Sequence, residues 1–118
     1  MKWSFCKYPC VFMLLAPTAI AIDAYPTFKI EITKSIFDPD VVVVPANTRI
    51  KLLVVNNDKT AEEFKSGTLR LKKIIMGNSQ AILFVGPLPT GDYPFSGAFH
   101  PRLASGLVRV SLAAEIKK

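Results

Sequence analysis

Apolar and polar residues alternate with a period of two through most of this 118-residue chain. A chain with that habit buries its apolar side chains by pairing strands, because successive strand side chains point to opposite faces. Phe28, Ile30 and Ile32 alternate with Lys29, Glu31 and Thr33, which reads as a half-buried strand. Residues 41–44 are four consecutive valines, and such a β-branched run predicts a strand buried on both faces. Residues 49–56 give the longest strand, alternating at first and then wholly apolar. Further strands are expected over residues 69–75, 81–85, 93–96 and 107–112.

Turn chemistry separates these runs. Ile36-Phe37-Asp38-Pro39, Pro45-Ala46-Asn47-Thr48, Asn57-Asp58-Lys59-Thr60, Met76-Gly77-Asn78-Ser79 and the proline-rich stretch 86–91 all read as turns. Residues 61–66 are either one helical turn or an irregular loop. In the helical case Thr60 is the cap and Glu63 completes a capping box. Strands spaced about ten residues apart predict an all-β fold, a Greek-key β-sandwich of about seven to eight strands.

The first 24 residues follow a different rule. Lys2 and Lys7 precede the apolar run Val11-Phe12-Met13-Leu14-Leu15-Ala16, and Pro17 limits any helix. Small residues follow at Ala19, Ala21 and Ala24. This is the pattern of a secretory signal peptide, with cleavage after Ala21 or Ala24. A membrane-spanning helix needs about 20 apolar residues, and the run over 8–22 is shorter and broken by prolines. The expectation is a signal peptide over 1–24, a folded domain over 25–118, and a periplasmic or secreted location.

Both cysteines, Cys6 and Cys10, lie in that first segment. The mature chain then has no disulfide, no thiolate ligand and no cysteine nucleophile, so its core alone holds the fold. Net charge is +6. The basic residues are scattered and often alternate along strands, which is the pattern of solvated strand faces rather than of a nucleic-acid surface. No nucleic-acid partner is expected, and no membrane insertion once the signal segment is gone.

An enzyme signal is missing. His100 is the one histidine, no serine sits in a nucleophile-elbow context, and no HExxH or glycine-rich phosphate loop occurs. Metal binding is better supported. Glu62 and Glu63 follow the longest strand, and His100 lies in the last long turn. Imidazole suits copper, iron and zinc, and carboxylates favour harder ions such as ferric iron. Glu62, Glu63 and His100 are therefore the candidate metal ligands, with iron or copper as the candidate ion.

The order of several short motifs resembles the cupredoxin family. They are Phe37-Asp38-Pro39, Val44-Pro45-Ala46-Asn47, Asn56-Asn57-Asp58, Glu62-Glu63-Phe64-Lys65-Ser66, Gly86-Pro87-Leu88, Gly91-Asp92-Tyr93-Pro94-Phe95, and Phe99-His100 with Gly106. Within that family the chain looks most like the cupredoxin-like periplasmic proteins associated with high-affinity iron-permease systems. The resemblance implies a non-enzymatic protein that binds or delivers iron or copper, with an inner-membrane iron permease or another periplasmic metal-transport protein as partner. It also implies a ligand pattern that this chain departs from. Glu62 holds the slot of the first histidine, Gly97 stands near the place of the thiolate, His100 matches the second histidine, and Ala104 falls near the axial methionine. Lys65 stands where those relatives carry an acidic residue. A blue-copper site needs cysteine and imidazole together, so the expectation is a harder site or a metal-free interaction module.

Overall fold

The computed structural model describes residues 25–112. The expected signal segment and cleavage site lie outside the described residues. Nine strands follow one another: β1 (Thr27–Thr33), β2 (Ile36–Asp38), β3 (Val41–Pro45), β4 (Ile50–Asn56), β5 (Glu62–Ser66), β6 (Leu71–Ile75), β7 (Ser79–Val85), β8 (Gly91–Gly97) and β9 (Ser105–Ser111). They form a four-stranded sheet in the order β2-β1-β4-β7 and a five-stranded sheet in the order β3-β9-β8-β5-β6. The chain changes sheet at five links, and this makes β1·β4 and β3·β9 parallel among otherwise antiparallel ladders. The Greek-key sandwich read from the alternation is the fold observed.

The core lies between the sheets. Ile30, Ile32, Ile50, Leu52, Val54 and Val85 come from one sheet, and Val42, Val44, Phe64, Phe95, Val108 and Val110 from the other. Phe37, Phe64 and Phe95 form an aromatic cluster with ring centroids 4.8–5.9 Å apart. Each such ring pair adds about 0.5–1.5 kcal/mol beyond the area it buries. Phe37 belongs to β2, so this short strand is fixed by its side chain as well as by its ladder.

Three local expectations change. Residues 36–38 pair with β1 through Ile32↔Phe37 and are a strand rather than a turn. Residues 61–66 are neither helical nor irregular, since Glu62–Ser66 is β5, laddered to β6 and β8. The valine run is buried on one face only. Val42 and Val44 enter the core, whereas Val41 and Val43 are each 38% exposed, because β3 is a sheet edge.

One end of the sandwich gathers four connections. These are the β1–β2 turn, the β4–β5 loop, the β6–β7 turn and the β8–β9 loop. Side-chain polar groups, one of them fully buried, tie them together. Asn56, 1% exposed, donates from Nδ2 to the Thr60 and Ile75 carbonyls at 2.8 and 3.1 Å, and its Oδ1 accepts from Asp58 N at 3.0 Å. Asp58 in turn accepts from Lys34 N at 2.7 Å and Ser35 N at 2.9 Å. Asn56 thus holds the ends of β4 and β6 together, one from each sheet.

Candidate functional site

β5 begins at this end, and strand alternation sets its faces. Phe64 enters the core, so Glu62, two residues earlier, points the same way. Its carboxylate is placed inside the end of the sandwich, with the side chain 3% exposed. A buried carboxylate is costly unless hydrogen-bonded. Here Oε1 accepts from the backbone N–H groups of Glu63 and Phe99, both at 2.9 Å, and Oε2 lies 2.7 Å from His100 Nδ1. The imidazole is 38% exposed in its side chain and closes the site from the solvent side.

The β8–β9 loop is built to present His100 in this way. His100 N donates to Gly97 O at 3.1 Å, Leu103 N and Ala104 N donate to His100 O at 3.1 and 2.9 Å, and Gly97 N donates to Ala104 O at 2.8 Å. Ala98 N donates to Glu63 O at 2.8 Å, which anchors the loop to β5. Ala104 is fully buried against Gly97. A Cβ on residue 97 would lie 2.7 Å from Ala104 Cβ, 2.7 Å from Glu62 Cδ and 2.8 Å from Glu62 Oε2. Gly97 is therefore required by the glutamate. The Glu62 carboxylate takes the space that any side chain at residue 97 would need.

Of the three predicted ligands, Glu62 and His100 meet directly. Glu63 follows Glu62 on a regular strand, so its side chain leaves from the opposite face of the sheet. Its role at the site is through the backbone, with N–H bound to Glu62 and C=O bound to Ala98. Lys65 is exposed and shares that opposite face. Among the described residues no group of three His, Cys, Asp or Glu side chains is arranged to hold a metal ion. The backbone donors of Glu63 and Phe99 were not foreseen from the sequence. The one sign of them was a glycine where a strand ends beside a glutamate-bearing partner strand.

Three comparisons place this geometry. The family described as "Cupredoxin-like domain" matches residues 7–110. The chain belongs to the cupredoxin-like family. An uncharacterized protein of Rickettsia prowazekii (strain Madrid E) is 39% identical over 83 residues, which cover 70% of this chain and 66% of that protein. The match thus spans about two thirds of that relative's length. The metal-binding domain of the Streptococcus pneumoniae Cu(I)-exporting P-type ATPase CopA, solved with Cu(I), superimposes with a TM-score of 0.64 at 12% identity. That match covers 78% of this chain and 91% of the domain. Auracyanin A, a "blue" copper protein from Chloroflexus aurantiacus, gives 0.62 at 13% identity, covering 72% of this chain and 98% of that one. At such identities the two structures share the fold with this chain, and nothing finer is carried across.

The donor set of this cupredoxin-like chain does not fit the copper centre its fold implies. Such a centre needs imidazole and thiolate ligands around the ion. Here Gly97 and Ala104 offer no donor atom, and the Glu62 carboxylate fills the space beside them. Of the groups that do carry donors, His100 Nδ1 and Glu62 Oε2 are already bound to each other. An ion bound to both would hold them apart at bonds of about 2.0–2.2 Å each, whereas Nδ1 and Oε2 stand 2.7 Å apart, a hydrogen-bond separation.

Proposed function

We propose that this protein is an exported, non-enzymatic β-sandwich that acts through protein contact, with the family's metal loop converted into a hydrogen-bonded strut. The observation that carries this reading is the Glu62 carboxylate, which is buried and accepts from Glu63 N, Phe99 N and His100 Nδ1 at 2.7–2.9 Å. Those partners leave its oxygens little capacity for an ion. Export is supported by the pattern of residues 1–24, not by the fold. The deciding experiment is metal analysis of protein purified from its own host, with calorimetric titration of Cu⁺, Cu²⁺ and Fe³⁺. The expected result is far less than one metal per chain and no binding heat. Stoichiometric metal that disappears in His100→Ala would overturn the reading.

A second reading keeps a metal. His100 remains part-exposed, and the chain's structural neighbours include proteins solved with Cu(I). In this reading Glu62 and His100 give up their mutual bond, and the ion's other ligands come from outside this pair. Glu63 contributes no side chain to it. The role would be delivery of copper or iron to a transport system, with a membrane permease or another periplasmic metal-transport protein as partner. The same titration separates the two. Binding heat with one ion, lost in both Glu62→Gln and His100→Ala, supports delivery.

A further inference from the structure

Among the described residues the sandwich has four edge strands, and three carry features that discourage pairing with another chain. β2 has three residues and is followed by Pro39. β6 carries exposed Lys72 and Lys73. β3 ends on Pro45. Its neighbours Asp40 and Ala46 bond to β9 through Asp40 O and Ala46 N, so alternation turns Val41, Val43 and Pro45 outward, and Pro45 has no N–H to offer.

β7 carries none of these features. Its sequence, SQAILFV, has no charge, proline or glycine, and its seven residues pair with β4 in unbroken register. The bonding of β4 decides which of its groups face outward. Lys51 N donates to Pro26 O and Asn57 N to Ile32 O, so odd-numbered residues of this stretch bond toward β1 and even-numbered ones toward β7. Their partners Ser79, Ala81, Leu83 and Val85 are bonded to β4. The N–H and C=O groups of Gln80, Ile82 and Phe84 therefore point off the sheet. The side chains of Ile82 and Phe84, 53% and 46% exposed, stand on its outer face.

We propose that β7 is a homodimer seam, taking a second copy of this chain in antiparallel register with Ile82 on the two-fold axis. In that register Ile82 faces Ile82 of the other copy, and Gln80 faces Phe84. Every outward N–H then meets an outward C=O. Shifting the axis to Ala81 leaves Phe84 unmatched, so the pattern selects one register. No like charges oppose each other, because β7 has no charged residue, whereas β6 paired with itself would crowd lysines. The product is one continuous sheet whose outer edges are both β2. Those edges are short and stopped by proline, so assembly closes at two copies. A strand seam is smaller than the roughly 800 Å² per partner of a standard interface, so the association is a weak one that needs raised concentration. This inference stands whether or not a metal binds at Glu62 and His100.

The test is sedimentation velocity on the chain as recovered from its host, from about 1 to 500 μM, with amide exchange read residue by residue. The expected result is a monomer-to-dimer shift. Exchange at Gln80, Ile82 and Phe84 slows with concentration, while Ser79, Ala81 and Leu83 are slow throughout. Ile82→Lys sets two cations face to face and raises the dissociation constant at least about tenfold. Ile74→Lys, on the β6 edge, leaves it unchanged. Monomer mass at every concentration, mass growing past two copies, or a dimer indifferent to Ile82→Lys would each overturn the proposal. If Ile82→Lys does not fold, the exchange profile of the unaltered chain decides alone.

Discussion

The two ends of the sandwich are held by different means. At the Glu62 end, side chains do the joining: buried Asn56 links the sheets, half-buried Asp58 caps the β1–β2 turn, and buried Glu62 fixes the β8–β9 loop. At the other end, backbone groups join Asn47 N to Leu88 O and Ala46 N to Ser111 O. The side chains that help there are mostly exposed, as in Tyr93 Oη to Pro89 O and Arg49 to Gly86 O. A buried polar group strands its partners when removed, whereas an exposed one hands them to water. Equal numbers of hydrogen bonds at the two ends therefore carry unequal weight. At the Glu62 end the buried polar groups are thus part of what holds the fold together.

The sharpest way to break that contrast is Glu62→Ala. It leaves the backbone donors of Glu63 and Phe99 without their acceptor, while the part-exposed imidazole can turn to water; at about 1–3 kcal/mol for each donor the expected loss is about 2–5 kcal/mol, measured by urea unfolding. The 97–104 loop should lose amide protection before the sheets do. A loss below about 1 kcal/mol would show that the carboxylate is not what holds the loop. Asn56→Ala comes next, at about 1–3 kcal/mol for the carbonyls it leaves buried and unpaired. Its counterpart at the other end, Tyr93→Phe, removes an exposed hydroxyl bond and should cost under about 1 kcal/mol. Equal losses for this pair would erase the difference between the ends.

The sandwich was legible because alternation and turn residues carry it, and both are local. The approach of Glu62 to His100 was legible through the order of motifs along the chain. What could not be read was which face of β5 each glutamate takes, since Glu62 and Glu63 are chemically alike and a shift of one residue exchanges them. Phe64 holds the answer, but only once residues 61–66 are known to be a strand rather than a helical turn. β2 escaped notice because three residues are too few to show a period. The valine run misled for another reason: an edge strand can carry valine on its outward face as well as its inward one, and the sequence does not say which strands are edges.

The β1–β2 turn sharpens the comparison further. Lys34 and Ser35 both adopt positive φ, at 55° and 62°, where hairpins favour Asn-Gly. Neither residue suits the conformation, and the Asp58 carboxylate holds them there through both N–H groups. Ser35→Gly should therefore stabilise the fold by about 1 kcal/mol, read as a rise in the unfolding midpoint. It should also soften the effect of Asp58→Ala, because a turn that no longer strains depends less on its clamp. If the two substitutions simply add, the clamp and the strain are unconnected.

The smallest expected effect is the most dependent on pH. Asp92 and Arg109 face each other across β8 and β9, with Arg109 Nε 2.9 Å from Asp92 Oδ1. Hydrogen bonding from the Arg109 guanidinium, aided by its charge, holds the Asp92 carboxyl below the usual value. A carboxyl whose folded-state pKa is depressed stabilises the fold above its unfolded-state pKa, and that contribution is lost as pH falls through the folded-state value. Asp92→Asn should therefore be slightly less stable than the parent at neutral pH and no different well below the folded-state value. Added salt should shrink the neutral-pH gap, because both side chains are exposed and open to screening. The Glu62–His100 contact is sheltered in the same fold and should keep its effect under the same salt. A salt response of equal size at both pairs would show that burial is not what separates them.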